Sequence, residues 1–389
     1  MPDLQQRVDE LLESHDPETT PRAIFLGAQY DAGLAWVHFP EGLGGLGLSR
    51  GRQSEVDDRL EAVGAPRPDV ARNAIGLGMA APTMVAFGTP EMQQRYLRPL
   101  FACTEIWCQL FSEPGAGSDL AAVATRAVPD GDEWVVDGQK VWTSGAHNAD
   151  FAILVARTDT SVPKHAGLTY FVLEMNVPGI EIRPLRQITG EAEFNEVFLS
   201  GVRIHDRNRV GAVGEGWKVA TTTLNNERVA IGAGNEREAG QIGVVTQRWR
   251  RDPCVRTPGN HAELMQWWVE TEVTRLAGER LRQGLEVGQP GPESSAMKLA
   301  FAQQAQQVSG FALELAPEEG LTYHDWSMVR PETGSLLGHG PGFRYLRAKG
   351  NSIEGGTSEI MRNIIAERVL GLPPEHRPDK GIAFKDVPR

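Results

Sequence analysis

Residues 110–145 read LFSEPGAGSDLAAVATRAVPDGDEWVVDGQKVWTSG, and the fold is decided in this stretch. A glycine-rich bend runs into two short alternating strands, and the second ends on Trp142-Thr143-Ser144-Gly145. Gly115 and Gly117 let the backbone bend and come close to a ligand, while Ser112, Ser118 and Ser144 supply uncharged donors. Backbone N–H groups, hydroxyls and an indole gathered in this way suit a flat ligand with a polar edge. A plain glycine turn between strands explains the same residues, so the rest of the chain must decide between the two.

Outward from this stretch the hydrophobic period changes twice. Asp130-Gly131 and Asp137-Gly138 read as turns that bracket Trp134-Val135-Val136, and Phe151–Val155, Leu168–Leu173, Ile180–Ile182 and Asn195–Leu199 read as further strands. They predict a compact antiparallel sheet or small barrel. Toward the N-terminus the period is helical: Val8, Leu11 and Leu12 share a face, and Met92–Leu100 continues the pattern after the start signal Gly88-Thr89-Pro90. From Gly216 onward helices return near 216–247, 260–286, 293–316 and 357–370, the last closing at Gly371 and Pro373. Met297, Phe301, Val308, Phe311 and Leu315 read as one buried stripe. The expected fold class is α+β with several domains: an N-terminal helical domain (1–104), a middle antiparallel β-barrel-like domain (105–215) and a C-terminal four-helix bundle (216–389).

Composition excludes several function classes. A chain of 389 residues with 40% hydrophobic and 23% charged residues is an ordinary globular protein. Its formal net charge of -12 argues against nucleic acid as a partner. No apolar run approaches the length of a membrane span, and Met1–Arg22 is a charged, helix-like opening without a signal-peptide core, so a cytoplasmic protein is expected. Cys103, Cys108 and Cys254 make no metal-ligand pattern and fit a reducing compartment.

Two places outside the opening stretch carry possible chemistry. Ala220, Leu224, Glu227 and Ile231 follow one another at spacings of four, three and four, which puts Glu227 on the apolar stripe of its helix. Burial raises a carboxylate's pKa toward neutrality, as a general base that must take and hold a proton requires. A Glu at the stripe margin, reaching water or Arg228, is the plain alternative. The second place is SIEGGTSEIMR, Ser352–Arg362, where a glycine pair leads into Thr357 and Ser358 as helix cap. The free N–H groups of that helix start suit a phosphate, or simply begin an ordinary capped helix.

LFSEPGAGSDLA, GQKVWTSG, ITGEAEFNEVFL (Ile188–Leu199) and IEGGTSEIMRNIIAERVLGLP, in this order and at these separations, closely resemble the flavin-dependent acyl-CoA dehydrogenases. The resemblance covers nearly the whole chain. It implies FAD between the middle and C-terminal domains, with Phe111 and Ser112 meeting the flavin, Trp142 and Ser144 flanking its ring, and Thr357 and Glu359 at the pyrophosphate. Ser118, Asn225 and Arg228 match positions that contact the acyl-CoA, and Gly355 borders the substrate. The implied reaction removes an α proton and a β hydride from an acyl-CoA, leaves a trans-2-enoyl-CoA, and passes electrons to electron-transfer flavoprotein. Neighbouring readings on the same fold are a flavin oxidase or monooxygenase, and a non-catalytic subunit.

The chain departs from the family pattern in two respects. Many members carry the base as Glu in an E-G-T sequence, where this chain has Gly355-Gly356-Thr357 and Glu354 one residue early. LNNER (Leu224–Arg228) resembles the branch that places the base on the earlier helix, which assigns Glu227. The R-x-x-F-G and Q-x-x-G-G-x-G motifs that a neighbouring subunit lends to FAD are also missing: the first region reads QRWRRDPCVRTPGN (Gln247–Asn260) and the second ELAPEEG (Glu314–Gly320). Such a chain resembles the base-bearing subunits of α2β2 acyl-CoA dehydrogenases of actinobacterial steroid side-chain degradation. That implies a homologous partner subunit carrying the missing motifs.

Overall fold

Strands alternate with apolar inward faces from residue 107 to 210, and helices flank them in the chain on both sides. The computed structural model describes residues 4–231, 237–287, 291–322, 327–332 and 339–387; the side chains at 227–231, 239, 282 and 285–287 are outside that description. The first helices are α1 (Leu4–Ser14), α2 (Arg22–Asp31), α3 (Gln53–Ala62), α4 (Val70–Ile75), α5 (Ala81–Phe87) and α6 (Pro90–Phe101). Thr89 caps α6 by accepting from the Met92 N–H at 3.3 Å, with Pro90 in the first turn.

The strands are β1 (Trp107–Leu110), β2 (Arg126–Asp130), β3 (Glu133–Ser144), β4 (Phe151–Arg157), β5 (Leu168–Glu174), β6 (Ile180–Leu185), β7 (Phe194–His205) and β8 (Arg209–Val210). They form one sheet in the order β6-β7-β3-β2-β4-β5-β8, with β1 beside β4. The sheet is open and mixed. Most pairs are antiparallel, as the alternation indicates, but β1 and β2 each run parallel to β4. The whole β2–β3 hairpin intervenes between β1 and β4, and a connection of that length permits the parallel pairing that a tight hairpin forbids. Strand β4 is buried along its full length. One face packs with Leu26, Tyr96, Trp107, Phe111 and Tyr170, the other with Trp134, Phe171 and Val197.

Of the two turn signals around Trp134, only the first is a turn. Asp130 pairs with Glu133 across Gly131, whose φ is +67°. Asp137-Gly138 lies inside β3, at a register shift against β7. There the Asp137 carboxylate accepts from the Gly201 N–H at 2.8 Å, and a Cβ on Gly138 would stand 2.3 Å from Thr125 Oγ1. Close packing, not chain reversal, selects that glycine.

After the sheet come α7 (Gly216–Ile231), α8 (Gln241–Arg251), α9 (Pro258–Val287), α10 (Ser294–Glu314), α11 (Pro317–Gly320), α12 (Pro341–Ala348) and α13 (Ser358–Ile364). Met297, Val308 and Phe311 of α10 and Leu315 at its C-cap are buried, whereas Phe301 is 40% exposed. Helical spacing fixes the direction a residue faces, not whether a neighbour reaches that level, and the described residues leave this ring partly open. Helix α9 likewise exposes Met265, Val269, Val273 and Leu276 at spacings of four, four and three. Among the described residues, no helix is long and apolar enough to cross a membrane and no group of side chains is arranged to hold a metal ion.

The fully buried Asn73 joins the first helices to β1: its amide donates to Leu100 O at 3.0 Å and Glu105 O at 3.2 Å, and its carbonyl accepts from the Trp107 N–H at 3.0 Å. Asn73→Leu strands three backbone groups in the core and is expected to cost about 2–4 kcal/mol. An unchanged urea midpoint would show that these bonds do not matter.

Candidate active site

The loop after β1 is held from beneath by a buried ion pair. Lys140 follows Trp134 and Val136 in the inward phase of β3 and is 0% exposed. Its Nζ donates to Glu113 Oε1 at 2.8 Å, Phe111 O at 2.9 Å and Val155 O at 2.8 Å. Glu113 in turn accepts from the Ala124 and Thr125 N–H groups at 2.7 and 2.9 Å, closing the glycine-rich loop on itself. Burial pulls the Lys140 pKa below its usual value, against the opposing pull of Glu113. Burial alone would raise the Glu113 carboxyl, but Lys140 and the hydrogen bonds more than offset it and hold the pKa below the usual range. Phe111 therefore turns its ring into the core, edge-on to Tyr170, and presents backbone to the loop. Ser112 is half-buried and its carbonyl accepts from the Val141 N–H at 2.9 Å, which lays the loop along the end of β3. Gly115 and Gly117 have open space where a Cβ would be, so no protein contact requires glycine there.

Beyond Lys140 the pairing of β3 with β7 slips, and Trp142 takes φ +60°, a left-handed conformation that bulky side chains rarely adopt. Its indole is 58% exposed, against the edge of Phe194 at 5.8 Å. Ser144 is exposed and Gly145, at φ +61°, donates to Glu193 O at 2.9 Å. Behind this wall the buried Asn195 amide donates to Thr143 O at 3.0 Å and Glu193 O at 3.1 Å, and lies 3.3 Å from His147 Nδ1. Arg330 Nη2 donates to the Asn195 carbonyl at 2.6 Å. Burial lowers the His147 pKa, and its Nε2 lies 3.3 Å from Pro331 O. Several polar atoms here are buried without a hydrogen-bond partner among the described residues: Thr143 Oγ1, Gln187 Nε2, Thr189 Oγ1 and Glu193 Oε1.

Arg347 connects this wall to the loop before α13. Its Nε stands 3.2 Å from Glu193 Oε1, an ion pair without hydrogen-bond alignment, and its two terminal nitrogens fork Glu354 at 3.1 Å each. Asn351 also donates to Glu354, at 2.8 Å, so both oxygens of that carboxylate accept hydrogen bonds. Lys298, nearly fully buried, fastens the same loop by donating to Gly356 O at 2.6 Å and Asn351 O at 2.8 Å. Gly355 and Gly356 have φ of +62° and +94°. Thr357 caps α13 by accepting from the Ile360 N–H at 3.2 Å, and Glu359 is exposed, 3.3 Å from Arg362.

Helix α7 packs against β5, α5 and α10. Ala220 is buried and Leu224 packs against the same core cluster. Asn225 is half-buried, while Glu227 and Arg228 lie on the helix with side chains outside the described ones. Ser118 is exposed on the glycine loop, beside Asp119, which pairs with Lys164 at 2.6 Å. The structure thus gathers Ser112, Trp142 and Ser144 along one edge, links that edge through Glu193 and Arg347 to Glu354 in the loop that carries Gly355 and Thr357, and sets α7 against Tyr170, on which Phe111 packs.

Residues 4–104, 108–202 and 214–370 match, in turn, the descriptions Acyl-CoA dehydrogenase, N-terminal domain, middle domain and C-terminal domain. Acyl-CoA dehydrogenase IpdE1 of Mycobacterium tuberculosis is 39% identical over 350 residues, covering 88% of this chain and 86% of that protein. The chain belongs to the acyl-CoA dehydrogenase family. Among solved members, the Tcur3481-Tcur3483 steroid ACAD is 26% identical with a TM-score of 0.73, covering 95% of this chain and 97% of that one. The ChsE4-ChsE5 complex from Mycobacterium tuberculosis is 26% identical with a TM-score of 0.71, covering 96% and 99%. Its relatives make this acyl-CoA dehydrogenase an oxidoreductase with the family's three-part fold.

Glu113, Lys140, Asn195, Lys298 and Arg347 escape the sequence reading. Lys140 was detectable by the same test that singles out Glu227, a charged residue in the apolar phase of its element. Lys140→Met leaves the Glu113 carboxylate buried and unpaired, and a loss of about 3–5 kcal/mol is expected, partly recovered by adding Glu113→Gln. Because the Glu113 pKa is lowered in the fold, its contribution is complete above the usual carboxylate range and disappears as pH falls through the lowered value. Unfolding free energies measured from pH 7 down to pH 3 check both; a single variant as stable as the wild type, or a pH slope unchanged by Glu113→Gln, contradicts them.

Proposed function

We propose that this chain is the base-bearing subunit of an FAD-dependent, cytoplasmic acyl-CoA dehydrogenase that acts on a bulky acyl-CoA, such as a steroid side-chain thioester, within an α2β2 assembly. The observation that carries the reading is the wall at Trp142–Gly145: an exposed indole on strained backbone, beside a buried Thr143 hydroxyl with no partner in the described chain. Buried polar atoms are ordinarily satisfied, so orphans at one edge call for a ligand with polar atoms of its own. The residues present fit a flavin. Trp142 and Ser144 would flank its ring, Phe111 would meet it through backbone together with Ser112, and Thr357 and Glu359 would stand toward the pyrophosphate. When bound, FAD supplies the hydride acceptor that no side chain can provide.

Glu227 takes the α proton in this reading. Glu354, the nearest acidic residue to the family's loop position, is forked by Arg347 and bonded by Asn351, which holds its oxygens as acceptors of existing bonds. Gly355 leaves the loop position without a side chain. The α7 position of Glu227, one turn beyond buried Thr223 and in line with Ala220 and Leu224, suits a carboxylate that must hold a proton in a water-poor site. Ser118, Asn225 and Arg228 would bind the acyl-CoA. The parts spanning 1–104, 105–215 and 216–389 would meet around it, and electron-transfer flavoprotein would take the electrons onward.

A homologous partner completes the cofactor site. Arg248, in the region where the R-x-x-F-G motif would stand, pairs at 2.6 Å with Glu319, in the region of the Q-x-x-G-G motif, so the two regions bind each other. Pro317 also offers no N–H to a phosphate. The exposed row Met265, Val269, Val273 and Leu276 gives α9 an apolar face for another subunit. Both solved relatives named above carry paired names.

Two measurements test these statements. In the assembled enzyme, Glu227→Gln is expected to lower turnover about 10²–10⁴-fold with flavin content unchanged; undiminished turnover removes the base assignment and favours a non-catalytic subunit. Purified without a partner, the chain is expected to hold less than one FAD per subunit and to be inactive. A homotetramer with full FAD and full activity contradicts the α2β2 reading.

A further inference from the structure

The wall side of the site and the base helix meet at one oxygen atom. Tyr170 on β5, 0% exposed, takes the edge of Phe111 on one side, with ring centroids 5.8 Å apart and planes at 84°. Its hydroxyl lies 3.1 Å from Thr223 Oγ1 on α7. Thr83 of α5 reaches the same oxygen at 2.9 Å, and Thr223 Oγ1 stands 3.1 Å from Val219 O one turn back on its own helix.

A carbonyl only accepts, so the Thr223 proton goes to Val219 O and its two lone pairs take the protons of Tyr170 and Thr83. This assignment uses the full capacity of the Thr223 hydroxyl. Burial also raises the Tyr170 pKa, which keeps that phenol protonated and able to donate. Thr223 and Thr83 are buried as completely as Tyr170, so water has no access to replace any of these bonds. Among its neighbours on α7, Val219 and Ala220 are buried apolar contacts, which attract without direction and leave the helix free to slide or roll by fractions of an ångström. Two directional bonds from other elements on one oxygen, from Tyr170 of β5 and Thr83 of α5, remove that freedom.

Position 227 lies one turn beyond Thr223 on the same face of α7. We infer that Thr223, held by Tyr170 and Thr83, is a positioning residue that sets the rotation and axial register of the base helix against β5 and α5, and so against the Phe111 ring packed on Tyr170. The inference rests on the reading of Glu227 as base. Proton abstraction tolerates little displacement of the carboxylate, whereas binding of a large thioester is spread over many contacts, so loss of this anchor acts on turnover before affinity.

The test uses the assembled, flavin-loaded enzyme with Thr223→Val, Thr223→Ser, Tyr170→Phe and, in parallel, Glu227→Gln. Thr223→Val keeps the shape and removes the bonds. It is expected to lower kcat about tenfold with KM within about twofold and flavin content unchanged, and to speed backbone amide exchange across residues 216–231. Thr223→Ser restores kcat and exchange protection, and Tyr170→Phe falls between. Wild-type kcat in Thr223→Val overturns the inference, as does a loss of flavin in step with kcat, which marks the contact as general packing. If Thr223→Val does not assemble, Tyr170→Phe decides on the same readouts. Inactive Glu227→Gln with fully active Thr223→Val removes the positioning role alone; active Glu227→Gln removes the base assignment beneath it.

Discussion

A lysine ammonium buried inside a β-sheet is tolerable only when every proton finds an acceptor, and Lys140 meets that condition with one carboxylate and two carbonyls. What it holds is the 110–125 loop. Phe111 O and Glu113 are its partners, and Glu113 carries the Ala124 and Thr125 N–H groups in turn, so the start and end of the loop are fixed to one point under β3. With the loop fixed, Ser112 can accept from Val141, and β3 leaves its regular pairing just where Trp142 adopts φ +60°. Strain of this kind survives only where the surroundings over-determine it. Lys140 on one side and Asn195 on the other are those surroundings.

Charge placement makes the rest of the site follow from this wall. Arg347 lies between Glu193 at the wall and Glu354 at the glycine loop, and Lys298 secures the far end of that loop. Burial raises the Glu193 pKa, with Arg347 opposing the rise. The same arrangement commits Glu354 to structure. In the proposed function proton chemistry falls to α7, which is tied to β5 through Thr223 and Tyr170.

Element type and order were legible because each rests on local spacing. The period of two from 133 to 205, the cap Thr89-Pro90 and the closing Gly371 at φ +69° all appear where the residues place them. Pairing was less legible: β1 joins β4 across about forty intervening residues, and nothing local announces a parallel neighbour. Asp137-Gly138 has the composition of a turn yet continues as strand, because the glycine answers to Thr125 on the adjacent β2 approach and not to its own chain. The residues proposed to face the ligand stand in recognisable motifs, and so do Glu113, Lys140 and Asn195, but nothing in those motifs announces which partners these three hold. Asn195 and Arg347 act through partners distant in sequence, and only the folded chain reveals those partners.

The division of the cofactor site between two polypeptides is the central claim, and a structure of the FAD-loaded assembly measures it most directly. The expected result is the flavin ring against Trp142, Thr143 and Ser144 of this chain, with the adenine end against a different, homologous subunit. Adenine lying against residues 247–260 or 314–320 of a second copy of this chain would contradict it.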